Sequence, residues 1–334
     1  MTEMTITDLD RFCRKPLIVF HSADADGIYS AWVCDYYYHN SYIPRKCNAE
    51  LDYMPWNYGD SIDFADMGKL RDASVVFMAD VTLPDEYMNE FADKIVWLDH
   101  HMSAIERSIK NEWGKRLLYN GSKIGTAGCK LSWNYFYEDE REVPYFIEYA
   151  SLYDIWNKEN PEVDYFDCYN REHLAFGTAD LKRKSFEALK SNFAFINSEV
   201  VGNRLSVIFE GKKLYLEKEK ENERQCKVMA HYGEILGHRV AIANFDKCNS
   251  EWFKWIVKKH PDIEYLLTFD YVFAKKAWRV SAYNSSTNLE GDALSLLYRI
   301  VAGEAEDVVS IGGHKGACGM VCRNLERILL SKVS

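Results

Sequence analysis

Short apolar runs that stop abruptly at charged or polar residues dominate the first half of the chain. Leu17-Ile18-Val19-Phe20 ends at His21 and a polar cluster, Val75-Val76-Phe77-Met78-Ala79 ends at Asp80, and Ile95-Val96-Trp97-Leu98 ends at Asp99. Unbroken runs of β-branched, aliphatic and aromatic residues fit strands buried on both faces. Ile28 to Tyr38, following Gly27, reads as a helix. Strand alternating with helix predicts an α/β fold with an open, mainly parallel sheet. In such sheets the ligand site lies at the carboxyl ends of the strands, where these acidic residues fall.

The pattern changes between Leu174 and Met229. Leu181–Ile196 and Tyr215–Tyr232 are rich in charge and read as helices, the second largely solvated. Beyond them, Arg239–Phe245, Tyr265–Val272 and Trp278–Tyr283 read as strands, with helices expected at Glu251–Lys259 and Asp292–Ala302. The expected organisation is a first domain over 1–175, a helical linker over 176–232 and a smaller α/β domain over 233–334. No internal repeat or low-complexity tract interrupts it.

Composition narrows the function classes. A chain of 334 residues with 47% hydrophobic and 28% charged residues is ordinary for a globular protein and long enough for two domains. The formal net charge of −10 argues against a broad basic face for long duplex nucleic acid. It leaves room for a short single-stranded substrate, because bound cations can supply local positive charge. The nine cysteines are odd in number and include no CxxC pair, which disfavours a zinc ribbon or a disulfide framework and favours a reducing compartment. The polar, acidic start does not resemble a signal peptide, and no run approaches ~18 apolar residues. The expectation is a cytoplasmic protein without a membrane partner; the oligomeric state is left open.

Four segments carry candidate chemistry: His21-Ser-Ala-Asp24-Ala-Asp26-Gly27, Ala79-Asp80, Asp99-His100-His101 and Tyr153-Asp154-Ile155-Trp156. Taken singly, His21 reads as a strand-end histidine, and Asp80 or Asp154 as a cap or turn residue. Together, and following successive strands, they crowd carboxylates and imidazoles at one sheet edge. Such crowding is costly unless something cationic sits there. Mixed carboxylate and imidazole donors suit divalent manganese and also accept iron, cobalt or zinc. A bridging carboxylate gives the paired-metal arrangement of phosphoryl enzymes, with ions ~3.5–4 Å apart.

The ordered set HSADADG, MAD, LDHH and YDIW resembles the four N-terminal motifs of the DHH phosphoesterase superfamily. Gly312-Gly313-His314-Lys315-Gly316-Ala317-Cys318-Gly319 is similar to the GGHxxAAG motif of the DHHA1-type C-terminal domain in the nanoRNase and RecJ branch. Gly125-Thr126-Ala127 followed by Leu131–Phe136 is also similar to a segment of the smaller members. The resemblance spans nearly the whole chain. It implies His21 and Asp24 on one metal ion, Asp26, His100 and Asp154 on the other, and Asp80 bridging. It further implies His101 facing the scissile phosphate, with Asp99 orienting a neighbouring histidine. Two divalent ions are implied, most simply Mn2+, with Mg2+ or Co2+ as substitutes.

In the second domain, Gly312 and Gly313 would let backbone N–H groups approach a phosphate, and His314 would add a donor or stack on a base. Many relatives carry Ser-Leu-Arg-Ser ahead of the glycines. Here Ser281-Ala282-Tyr283-Asn284-Ser285 puts Tyr283 in the arginine's place, where it can stack or donate one hydrogen bond but cannot clamp phosphate in two places. Cys318 stands where alanine is usual and reads as a small packed residue. The expected activity is hydrolysis of short oligonucleotides or dinucleotides to mononucleotides. The alternatives are a cyclic-nucleotide or cyclic-dinucleotide phosphodiesterase and a non-catalytic nucleotide sensor or scaffold. Retention of every expected ligand position speaks against the last.

Overall fold

The computed structural model describes residues 14–40, 51–137, 141–176, 186–245, 251–285, 287–288, 290–313 and 315–334. The chain divides into two compact units, Met1–Tyr215 and Leu216–Ser334.

The first unit is built on five parallel strands, β1 (Pro16–His21), β2 (Asp52–Trp56), β3 (Val75–Ala79), β4 (Ile95–Leu98) and β5 (Tyr119–Asn120), in the order β2-β1-β3-β4-β5. The three apolar runs of the sequence are the central strands β1, β3 and β4. Side chains alternate across a strand, so each run feeds two cores. Ile18, Phe20, Val75, Phe77, Ala79, Val96 and Leu98 belong to one buried cluster. Leu17, Val19, Val76, Met78, Ile95 and Trp97 belong to the other.

Among the described residues this unit carries helices α1 (Ala25–Asn40), α2 (Phe64–Asp72), α3 (Asp85–Glu90), α4 (Met102–Lys110), α5 (Gly128–Tyr137), α6 (Tyr145–Asp154), α7 (Pro161–His173) and α8 (Phe186–Phe195). Helix α1 supplies Ile28, Tyr29 and Trp32 to the first cluster, joined by Cys129 and Trp133 of α5. Leu70 of α2 and Met88 of α3 cover the other face. Strand β2 carries fewer strand signals, since Asp52 and Pro55 break its apolar pattern. It pairs only with β1, at the sheet edge, where a proline is tolerated. Its aromatics Tyr53 and Trp56 are core residues, not an exposed stacking platform.

Helix α9 (Arg204–Met229) runs across the division between the units. The second unit adds α10 (Lys254–Lys259), α11 (Ala293–Ile300), α12 (Leu325–Ile328) and a six-stranded sheet. Its strands are β6 (Ala230–Ile235), β7 (His238–Ala243), β8 (Tyr265–Val272), β9 (Ala277–Asn284), β10 (Val308–Gly313) and β11 (Ala317–Cys322), ordered β10-β11-β9-β8-β7-β6. All pairs are antiparallel except β7 with β8. Both units are therefore α/β, as the strand and helix pattern predicts. Among the described residues no helix is long and apolar enough to cross a membrane.

The sheet order places a topological switch between β1 and β3, because the chain leaves β1 toward β2 and returns on its other side as β3. Helix α1 starts hard against the end of β1. A Cβ on Gly27 would lie 1.8 Å from the carbonyl oxygen of His21. We predict that Gly27→Ala lowers the unfolding free energy by about 1–3 kcal/mol through overpacking. Gly68→Ala, on the exposed face of α2 with open space at its Cβ, should instead raise it by about 0.5–1 kcal/mol. Urea unfolding midpoints at constant m-value check both.

Candidate metal centre

Strand ends and helix starts bring the acidic and imidazole residues together. His21 closes β1, Asp26 lies in the first turn of α1, Asp80 follows β3, His100 and His101 follow β4, and Asp154 closes α6. Asp80 adopts a φ of 59°, in the left-handed region, while its N–H donates to the Leu98 carbonyl at 2.9 Å. Few non-glycine residues take that conformation, and aspartate does so more readily than most.

The contacts are close. His21 Nδ1 lies 3.0 Å from Asp24 Oδ2 and 3.6 Å from Asp80 Oδ2. His100 Nε2 lies 3.0 Å from Asp154 Oδ2, 3.3 Å from Asp80 Oδ1 and 3.8 Å from Asp26 Oδ2. Three overlapping donor sets result: His21, Asp24 and Asp80; Asp26, His100 and Asp154; and Asp80, His100 and His101. Within each set the donor atoms lie within 4.8 Å of one another. Asp80 is buried and presents one oxygen toward His21 and the other toward His100.

The residues fit bound metal on an observation independent of motif. His21 Nδ1, Asp80 Oδ1 and Asp154 Oδ2 are buried polar atoms without a properly oriented hydrogen bond. Buried groups of this kind call for a partner. Their electrostatics say the same. Burial alone would lower the His21 imidazole, but Asp24 and Asp80 override it and raise it to about 10. His100 is likewise raised against burial, to about 11, by Asp154 and Asp80. Burial would raise the Asp80 carboxyl, yet the two imidazoles hold it well below the usual carboxylate range. Asp26 is pushed well up by burial and by the charges of Asp80 and Asp154. The donor array is short of positive charge, and protons fill the role that a metal ion would fill.

Two supports position the donors. Asp26 accepts from the N–H groups of Gly128 (2.7 Å) and Cys129 (2.8 Å), so its carboxylate sits on the N-terminus of α5. A Cβ on Gly128 would lie 2.4 Å from Asp80 Cβ and 3.1 Å from Asp26 Oδ2, so only glycine fits. Asp99 is fully buried. Its Oδ1 accepts from His101 Nδ1 at 2.7 Å and from the backbone N–H groups of His100 (2.7 Å) and His101 (3.2 Å). Its Oδ2 accepts from the Thr82 hydroxyl, which itself accepts from Trp97 Nε1 at 2.8 Å. Asp99 thus orients the two histidines, and His101 Nε2 remains available to a ligand.

Gly128, Thr82, Trp97 and Asn57, which bonds Ser22 after β1, are site residues that motif reading passes over. Only Gly128 carried a local signal, as the residue after Gly125-Thr126-Ala127. In the second unit, Gly312 and Gly313 end β10 rather than forming a separate loop. Gly312 has open space at its Cβ position, while a Cβ on Gly313, at a φ of 131°, would lie 2.5 Å from Cys318 Cα, so the hairpin itself demands glycine there. Tyr283 lies on β9, partly buried against the cluster containing Trp252 and Phe253. Cys318 is buried and packed. His314 lies outside the described residues.

No family model matches the chain, and no curated protein matches it in sequence. Solved structures do. The DHH domain of a protein described as a member of a ribosomal-protein family aligns at TM-score 0.51 and 14% identity, over 98% of this chain and 87% of its own. The chain shares the fold of that DHH domain. A pGpG-specific phosphodiesterase from Vibrio cholerae aligns at TM-score 0.49 and 10% identity, over 95% and 96% of the two chains. RecJ from Thermus thermophilus, solved with Mn2+, aligns at TM-score 0.46 and 9% identity, over 92% of this chain and 49% of that one. On the DHH-type fold, the donor sets gather at the switch between β1 and β3.

We predict that Asp99→Asn weakens Mn2+ binding or turnover by about 10–100-fold while the fold persists. Mn2+ titration followed by electron paramagnetic resonance, with circular dichroism as the control, measures it.

Proposed function

We propose that the protein is a metal-dependent phosphodiesterase that hydrolyses short oligonucleotides to mononucleotides. The observation that carries the reading is the pair of donor sets His21/Asp24/Asp80 and Asp26/His100/Asp154, with Asp80 turned toward both. His21 and Asp24 would hold one divalent cation and Asp26, His100 and Asp154 the other, with Asp80 shared. Manganese suits the donor set, and Mg2+ or Co2+ would substitute. When bound, such a pair supplies an activated water and neutralises phosphate oxygens.

The chain's own groups perform the remaining tasks. The turn at Asp80 fixes both of its oxygens through a strained backbone packed on Gly128. The Asp99 carboxylate accepts the Nδ1–H of His101 and favours its charged form, so that Nε2–H would donate to a non-bridging phosphate oxygen or protonate the departing ribose oxygen. The burial of Asp26, Asp80 and Asp99 lowers the local dielectric, which strengthens each of these interactions. No side-chain nucleophile is required. In the second unit, Gly312, Gly313, His314 and Tyr283 would grip the substrate.

Asp80→Ala should reduce turnover to background, and a chelator should do the same to the wild type, with Mn2+ restoring only the latter. The assay is mononucleotide release from RNA and DNA of two to five nucleotides, with linear and cyclic dinucleotides and pyrophosphate in parallel. Wild-type rates in Asp80→Ala refute the shared-ligand assignment. Exclusive opening of cyclic substrates replaces the oligonucleotide reading with cyclic-dinucleotide hydrolysis.

A further inference from the structure

We propose that the cavity between α6 and α7, beside Asp24, Asp26 and Asp154, is a nucleobase subsite in the first unit. The proposal deepens the phosphodiesterase reading by placing one base of the substrate against the metal-binding carboxylates.

The cavity measures about 200 Å3. That is smaller than the ~300–1,000 Å3 of pockets that enclose whole ligands, and suits one ring system. Tyr153 and Trp156 form an aromatic wall. Trp156 is 66% exposed and holds a φ of 60°, a strained conformation for a bulky side chain. Core packing does not explain an exposed, strained tryptophan two residues after Asp154. Lys158 Nζ lies 3.9 Å from the Tyr153 ring centre and 4.5 Å from that of Trp156, stiffening the wall from one side.

Hydrogen-bonding groups converge on the same space. Asn170 is 1% exposed and lines the cavity. Its Oδ1 accepts from the buried Tyr29 hydroxyl at 2.9 Å, which fixes the amide. Its Nδ2 makes no hydrogen bond to any described residue, leaving a donor held in place for a ligand acceptor. Arg171 Nε donates to buried Asp167 at 2.7 Å, and this fixed pair lines the cavity.

Charge separates a base from a terminal phosphate. Arg171 is paired with Asp167 and Lys158 with Asp164 (3.1 Å), so neither cation is uncompensated. Three further carboxylates line the cavity. With those three carboxylates assigned to the cations, the α6–α7 side of the cavity offers a phosphate no uncompensated positive side chain, whereas a neutral planar ring is accommodated. Stacking on the aromatic wall would contribute the larger share of affinity.

The test is calorimetric titration of the full chain with adenosine 5′-monophosphate and with ribose 5-phosphate, which lacks the base. Wild type should bind the nucleotide about tenfold more tightly. Trp156→Ala, a change at an exposed position, should reduce that ratio toward one, and Asn170→Ala should reduce it partially. Equal affinities in the wild type, no nucleotide binding, or a ratio unchanged in Trp156→Ala would overturn the proposal. Failure of the phosphodiesterase reading shows itself separately, as absence of Mn2+-dependent cleavage of bis(p-nitrophenyl) phosphate. The affinity ratio still reports on the subsite in that case.

Discussion

The mutual repulsion of carboxylates gathered at the ends of three parallel strands is the constraint on which the rest of the structure depends. Asp24, Asp26, Asp80 and Asp154 crowd around the ring nitrogens of His21 and His100, with His101 Nδ1 4.0 Å from Asp80. Without cations the array is held by imidazoles raised well above their ordinary value and by an Asp26 carboxyl pushed up, while Asp80 is held low between the two rings. An arrangement so costly in like charge is stable only where positive charge is reliably supplied. The surrounding fold therefore has to be rigid enough to keep the donors close when that charge is absent.

That rigidity comes from packing on both sides of the sheet. The alternating side chains of β1, β3 and β4 fill separate apolar clusters, so none of these strands can shift register without exposing one core and overfilling the other. Two glycines let helices close onto the strand ends. Gly27 brings α1 against the His21 carbonyl, and Gly128 brings the N-terminus of α5 against Asp80 and Asp26. The start of α5 stabilises the Asp26 carboxylate through two N–H donors and its dipole. The Trp97–Thr82–Asp99 chain carries the same rigidity from the core to the histidines.

The central strands and α1 were legible because their signals are local: unbroken apolar runs, each ending in an acidic or polar residue. Edge and hairpin strands were less so. β2 contains Asp52 and Pro55, β6 follows directly on the charged α9, and β10 and β11 are rich in glycine and small residues. Their stability comes from pairing with distant segments, which leaves little local imprint. The donor residues were legible because carboxylate and imidazole chemistry is written in residue type. Thr82 and Asn57 act through distance alone, and nothing in their identity marks them.

The sequence by itself determined the class of fold, where along the chain the buried central strands lie and which residues carry cation-binding donor groups, because hydrophobic period and donor chemistry are properties of the residues themselves. Tertiary structure decided which donors share a site. It turned Asp80 between His21 and His100, seated Asp26 on a helix that starts 102 residues later, and opened a cavity between α6 and α7 beside them. Those relations are distances between segments far apart in the chain. They arise only when the parallel sheet closes and its loops are forced to the same edge.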